Sequence, residues 1–191
     1  MSTMSDVSLR GAADIRCKGL RHEDVTVLVN NAGAVSFGSL LTGPLDDAHA
    51  MFRTNVFGPW EMTRVFAPAL AASGGAMVSV LSAIAWFSPP QNGAYAATKA
   101  AAWSLTNGLR MGLESAGVLV QGLHFGAVDT DFAAGYDGTK IAPGQVVNAS
   151  LEGLEAEAPE VLVDAESRNT KAALSGAPGE YLRRFLGSAG S

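Results

Sequence analysis

Tyr95 and Lys99 are the residues of this 191-residue chain with the plainest chemical potential. They stand four apart in an alanine-rich stretch, so on a helix they lie about one turn from each other and share a face. A phenol ordinarily ionises near pH ~10. An ammonium beside it favours the phenolate and lowers that value, which suits the phenol to exchange a proton with an alcohol or a carbonyl. The spacing alone is a weak pattern, because a surface lysine beside a half-buried tyrosine is spelled the same way. Ser82 precedes Tyr95 by thirteen residues and closes an apolar run. A serine there is a turn former or a helix cap, or its hydroxyl donates to the same carbonyl oxygen that Tyr95 serves.

Positioning these groups requires strands and helices in alternation. Val25 to Val29 is a short, β-branched, apolar run that stops at Asn30-Asn31-Ala32-Gly33, which reads as a buried strand entering a loop. Residues 45–72 read as helix, with Pro59 as a break or a start. Gly74-Gly75 is a turn, and Met77 to Leu81 is a second strand. Ala94 to Ala116 is the strongest helix, with Gly117 suited to cap it. Its only charges are Lys99, Arg110 and Glu114, so protein should cover most of its surface. Val118 to Phe125 is a third strand; helical patterns return at 143–157 and 167–186, with a short strand at Val161 to Val163. The alternation predicts an α/β fold with a parallel sheet. Ligands of such sheets bind outside the carboxyl ends of the strands. Asn30 to Gly33, Ser82 and Gly126 to Thr130 are therefore the residues to watch.

Composition narrows the function further. The formal net charge is −5, which offers no basic face for nucleic acid. Cys17 is the single cysteine, so the chain forms no internal disulfide and no cysteine-based zinc site. His22, His49 and His124 are too widely spaced to suggest a metal centre. The longest apolar stretch, Ala76 to Phe87, is interrupted by Ser79 and Ser82 and falls short of a membrane span. The first twenty residues are charged and lack the apolar core of a secretory signal. A soluble, cytoplasmic protein is expected.

Four motifs in order carry a resemblance. They are Asn30-Asn31-Ala32-Gly33, Asn55 within Thr54-Asn55-Val56-Phe57-Gly58, Ser82 with Tyr95-Ala96-Ala97-Thr98-Lys99, and Gly126-Ala127-Val128-Asp129-Thr130. With this spacing the chain resembles a short-chain dehydrogenase/reductase over residues 25 to 135. The resemblance implies a Rossmann-type doubly wound parallel sheet, and hydride transfer between NAD or NADP and a carbonyl or secondary alcohol. Tyr95 would be the acid/base, Lys99 would lower its pKa and hold the nicotinamide ribose, and Ser82 would orient the substrate carbonyl. Asn55 would keep a water in a proton relay to Lys99. Asn31, Ala32 and Gly33 would line the adenosine side of the cofactor, with Val128 and Thr130 at its carboxamide. No metal is implied. A small-molecule carbonyl or alcohol is the expected substrate, and a homodimer or homotetramer the expected assembly, through the helices at 57–72 and 94–116.

The chain departs from the family at two places. Phe125 stands where the family usually has proline; it either fills core or narrows the substrate pocket. Before residue 25 the only glycines are Gly11 and Gly19, so the glycine-rich pyrophosphate turn has no counterpart. The expectation is a partial Rossmann sheet lacking its N-terminal strands, with residues 1–24 a separate or remnant segment and 25–191 the catalytic part. The strand at 25–29 would then present an apolar edge. Two alternatives follow: a non-catalytic remnant that dimerises without binding dinucleotide, or a late-starting version of a longer enzyme. Phe52, Phe57, Trp60 and Phe66 are expected in the core. Trp86 and Phe87 are expected either to line an apolar substrate pocket or to anchor a surface loop.

Overall fold

The computed structural model describes residues 24–177. Four parallel strands make the sheet: β1 (Val27–Asn30), β2 (Ala76–Val80), β3 (Leu119–His124) and β6 (Glu160–Leu162), paired in that order. A second, two-stranded sheet joins β4 (Ala127–Val128) to β5 (Lys140–Ile141). The helices are α1 (Leu45–Phe52), α2 (Gly58–Ser73), α3 (Gly93–Leu113), α4 (Pro143–Glu155) and α5 (Ala165–Ala173). The α/β class and the parallel sheet flanked by helices agree with the sequence. Adjacent β3 residues meet different helices, as the alternation of side chains along a strand requires. Gln121 hydrogen-bonds Ser150 of α4, whereas the Cα of Gly122 turns toward the Arg110 guanidinium of α3. Helices therefore cover β3 from both faces.

Local chemistry explains the element ends. Pro59 sits in the first turn of α2, where its missing N–H costs nothing, so it starts a helix rather than breaking one. The predicted single helix over 45–72 is therefore two, joined by a π-helical turn at Arg53–Phe57. Gly74 (φ 56°) and Gly117 (φ 69°) hold the left-handed conformation that stops the chain after α2 and after the short 3-10 turn following α3. The helix expected over 167–186 appears as α5 but stops at Ala173, where the chain goes into turn at 174–176; residues 178–186 lie outside the described residues, as do Cys17 and residues 1–23. The small β4–β5 sheet has no signal in the sequence, because two-residue strands carry no periodicity.

Leu28, Phe66, Leu70, Met77, Val118 and Val120 form the core between the sheet and α2–α3. Phe66 is buried as expected and Phe52 is half-buried, but Phe57 and Trp60 are 46% and 44% exposed. They lie on the π turn and the first turn of α2, away from the stripe that Phe66 and Leu70 turn to the sheet. Among the described residues β1 is a sheet edge, with Val27 and Val29 exposed and Leu28 buried.

Candidate functional site

Tyr95 and Lys99 are both buried in α3, one turn apart as their spacing requires. The Lys99 ammonium donates to the Val80 carbonyl at the end of β2 (3.0 Å) and stands 5.7 Å from the centre of the Tyr95 ring. Burial pushes the Tyr95 phenol up to about 12 and the Lys99 ammonium down to about 8. The expected lowering of the phenol is thus reversed in this arrangement, because desolvation of the phenolate outweighs the attraction of an ammonium at this range.

Ser82 follows β2 and caps the 3-10 turn Ala83–Trp86, its Oγ accepting from the Ile84 N–H (3.2 Å). The same hydroxyl donates to the Phe125 carbonyl (3.4 Å) just beyond β3. Phe125 itself is half-buried. Trp86, in that 3-10 turn, is buried and stacks on the His124 imidazole, with ring centres 4.1 Å apart, and Phe87 is half-buried.

Asn55 occupies the π turn and is buried. Its Oδ1 accepts from the Ala34 N–H (2.8 Å), and its Nδ2 donates to the Ala34 carbonyl and to Thr98 Oγ1 (both 2.9 Å). Thr98 in turn donates to the Tyr95 carbonyl (2.7 Å). Asn55 therefore ties the loop after β1 to the helix that carries Tyr95 and Lys99, and both its amide hydrogens are used in doing so. Asn31, Ala32 and Gly33 lie exposed at the start of that loop. A methyl group at Gly33 would meet Asn55 Oδ1 at 3.8 Å and Phe132 at 4.0 Å. The Phe132 ring also lies 6.1 Å from that of Tyr95, so the loop, Asn55 and Tyr95 converge on one spot. Val128 belongs to β4, and the exposed Thr130 donates weakly back to its carbonyl (3.4 Å). Thr98, Phe132 and His124 stand against the expected site residues Tyr95 and Ser82 and were not singled out by sequence reasoning. Thr98 is legible within the Tyr95–Lys99 motif; the other two have no local signature.

Among the described residues no group of acidic, histidine or cysteine side chains has metal-binding geometry, and no helix is long and apolar enough to cross a membrane.

The family model described as short chain dehydrogenase matches residues 15–140. The chain belongs to this family. One short-chain dehydrogenase solved in complex with NADP, from Burkholderia cenocepacia, superposes with a TM-score of 0.84 at 32% identity, over 93% of this chain and 76% of that one. A curated Mycobacterium tuberculosis protein, named an uncharacterized NAD-dependent oxidoreductase, is 35% identical over 106 residues, or 54% of this chain and 38% of its own length. An uncharacterized oxidoreductase of Escherichia coli is 31% identical over 138 residues, 72% of this chain and 51% of its own. The chain spans about half the length, or less, of these curated short-chain dehydrogenase relatives.

Proposed function

We propose that this chain carries the catalytic half of an NAD(P)-dependent oxidoreductase acting on a small carbonyl or secondary alcohol. The observation that carries the reading is the buried Tyr95–Lys99 pair on one turn of α3, beside the end of β2 that leads into Ser82. The relatives named NAD-dependent, and the neighbour solved with NADP, support the cofactor class.

The donor set suits the nicotinamide ribose half of a dinucleotide. An ammonium has three N–H donors, and Lys99 gives one to Val80, which leaves two for a ribose diol. The exposed Asn31–Gly33 loop and Thr130 would hold the adenosine side and the carboxamide. When bound, the cofactor supplies or accepts the hydride. The chain's own part is to move a proton and to hold the substrate. Tyr95 donates its phenolic proton to a carbonyl oxygen as it becomes an alkoxide, or takes one from an alcohol. The Ser82 hydroxyl, turning its one proton from the Phe125 carbonyl to the same substrate oxygen, fixes its position. Lys99 offsets the negative charge left on Tyr95, and below about pH 8 it is a cation able to do so. Asn55 acts by holding the loop and α3 together.

The protein is further proposed to be cytoplasmic, in keeping with its single cysteine, and to form a homodimer or homotetramer. Support for assembly comes from Phe57, Trp60 and Met111, exposed on and beside α2 and α3. The test is reduction of cyclohexanone and acetophenone with NADH and NADPH, followed by loss of nicotinamide absorbance, with Tyr95→Phe alongside. Removing the transferable proton should cut kcat by roughly 10²–10⁴-fold. Full activity in Tyr95→Phe would exclude this mechanism. No turnover with either cofactor would favour the alternative reading, a chain that dimerises and binds no dinucleotide.

A further inference from the structure

Behind Ser82 lies a buried imidazole that the proposed chemistry does not use. His124, the last residue of β3, has no exposed surface. Its Nδ1 is 3.2 Å from the Ser82 carbonyl oxygen. Its Nε2 is buried without a hydrogen-bond partner, 3.8 Å from a carboxylate oxygen of Glu160 on β6, and Glu160 is itself paired with Lys171 of α5. Trp86 stacks on the ring at 17°, and Lys171 stands 5.9 Å from the centre of the Trp86 ring. Elements on every side thus fix the plane of this imidazole.

A carbonyl oxygen only accepts, so Nδ1 makes a bond to Ser82 only when it carries the proton. The neighbouring backbone reinforces the grip. The Phe125 carbonyl accepts from the Ala83 N–H (2.9 Å) and from the Ser82 hydroxyl, so two successive residues at the end of β3 hold Ser82 at both its oxygens.

We propose that His124 is a positioning residue for Ser82: its Nδ1–H clamps the Ser82 carbonyl and so sets the direction in which the Ser82 hydroxyl faces the substrate. The inference rests on the proposed reductase reading for its kinetic consequence, but not for the clamp itself. Around the ring stand Glu160 from β6, Lys171 from α5, and Lys99 and Arg110 from α3. Burial first, and then the three cations, keep the imidazole neutral down to about pH 4, against the opposing pull of the Ser82 carbonyl. The ring is therefore neutral through the working pH range, and the Ser82 carbonyl at Nδ1 selects the tautomer with its proton there.

The test uses the full chain labelled with 15N. Long-range imidazole spectra should show His124 with its proton on Nδ1 and no titration between about pH 5 and 9. A proton on Nε2, or a midpoint within that range, would overturn the clamp. The Ile84 amide reads the hydroxyl directly, since it bonds Ser82 Oγ. Its resonance should shift in His124→Leu and stay in place in His124→Asn, whose amide nitrogen can stand where Nδ1 does. In turnover of cyclohexanone with NADPH, His124→Leu should lower kcat by about 10–100-fold, the scale expected of a displaced group. KM for NADPH should stay within about twofold, and His124→Asn should recover most of the rate. Equal loss in both variants, or none in His124→Leu, would overturn the proposal. If the unaltered chain shows no turnover, the reductase reading fails instead, and the Ile84 and imidazole spectra still decide whether His124 positions Ser82.

Discussion

Lys99 carries the clearest consequence of burying a charge. Its folded pKa of about 8 lies below the ordinary 10.5, so between those values the unfolded chain binds more protons than the folded one. Stability therefore rises with pH across that window, and the cost of the buried ammonium is fully present below it. Tyr95 acts the other way: raised from 10 to about 12, it lets stability fall as pH climbs through that range. Replacing Lys99 by Met should relieve about 3 kcal/mol of desolvation, less about 1–2 kcal/mol for the lost bond to Val80. Thermal unfolding at pH 7 should show Lys99→Met a few degrees more stable than the parent, with the gap closing between about pH 8 and 10.5. A destabilised variant at pH 7 would mean that the ammonium is better paired than its contacts suggest.

Asn55 belongs to the scale of elements, because its three hydrogen bonds join a loop, a π turn and a helix. Such turns interrupt helices where a side chain must be aimed. At roughly 0.5–1.5 kcal/mol for each bond, Asn55→Ala should cost about 2–4 kcal/mol. Urea unfolding measures this directly, and a loss below about 1 kcal/mol would show the loop held by other means. Gly75 makes a second test. Its N–H bonds the Leu70 carbonyl after α2, and a Cβ there would collide with the Thr26 carbonyl oxygen, which is backbone and cannot swing aside. Gly75→Ala should cost about 1–3 kcal/mol, the scale of overpacking, in the same urea measurement.

At the scale of the whole molecule, affinity for the dinucleotide depends on which residues meet its pyrophosphate. A cradle short of two charge-assisted bonds of about 1.5–3 kcal/mol each would bind dinucleotide roughly 3–6 kcal/mol more weakly. A micromolar site would fall to millimolar or worse. Calorimetric titration of the 191-residue chain with NADH and NADPH should therefore show weak binding or none; a Kd at or below about ten micromolar would show the phosphate cradle rebuilt by other residues. Assembly is read from the same surface that contradicts the expected core. Light scattering should give at least twice the 19.6 kDa chain mass, and Trp60→Glu should return it to the monomer value.

Periodicity and motif order were sufficient for the α/β class, the parallel strands and the Tyr95–Lys99 turn, since each depends on residues close in sequence. Composition identified aromatic residues but not their direction: Phe66 faces the sheet, whereas Phe57 and Trp60 face outward, because their spacing from Phe66 is not a whole number of helical turns. The sign of the Tyr95 shift was also beyond the sequence. It depends on how much water the surrounding elements exclude, which no spacing encodes. His124, Glu160 and Lys171 meet only because β3, β6 and α5 are brought side by side, and that contact was decided by tertiary structure alone.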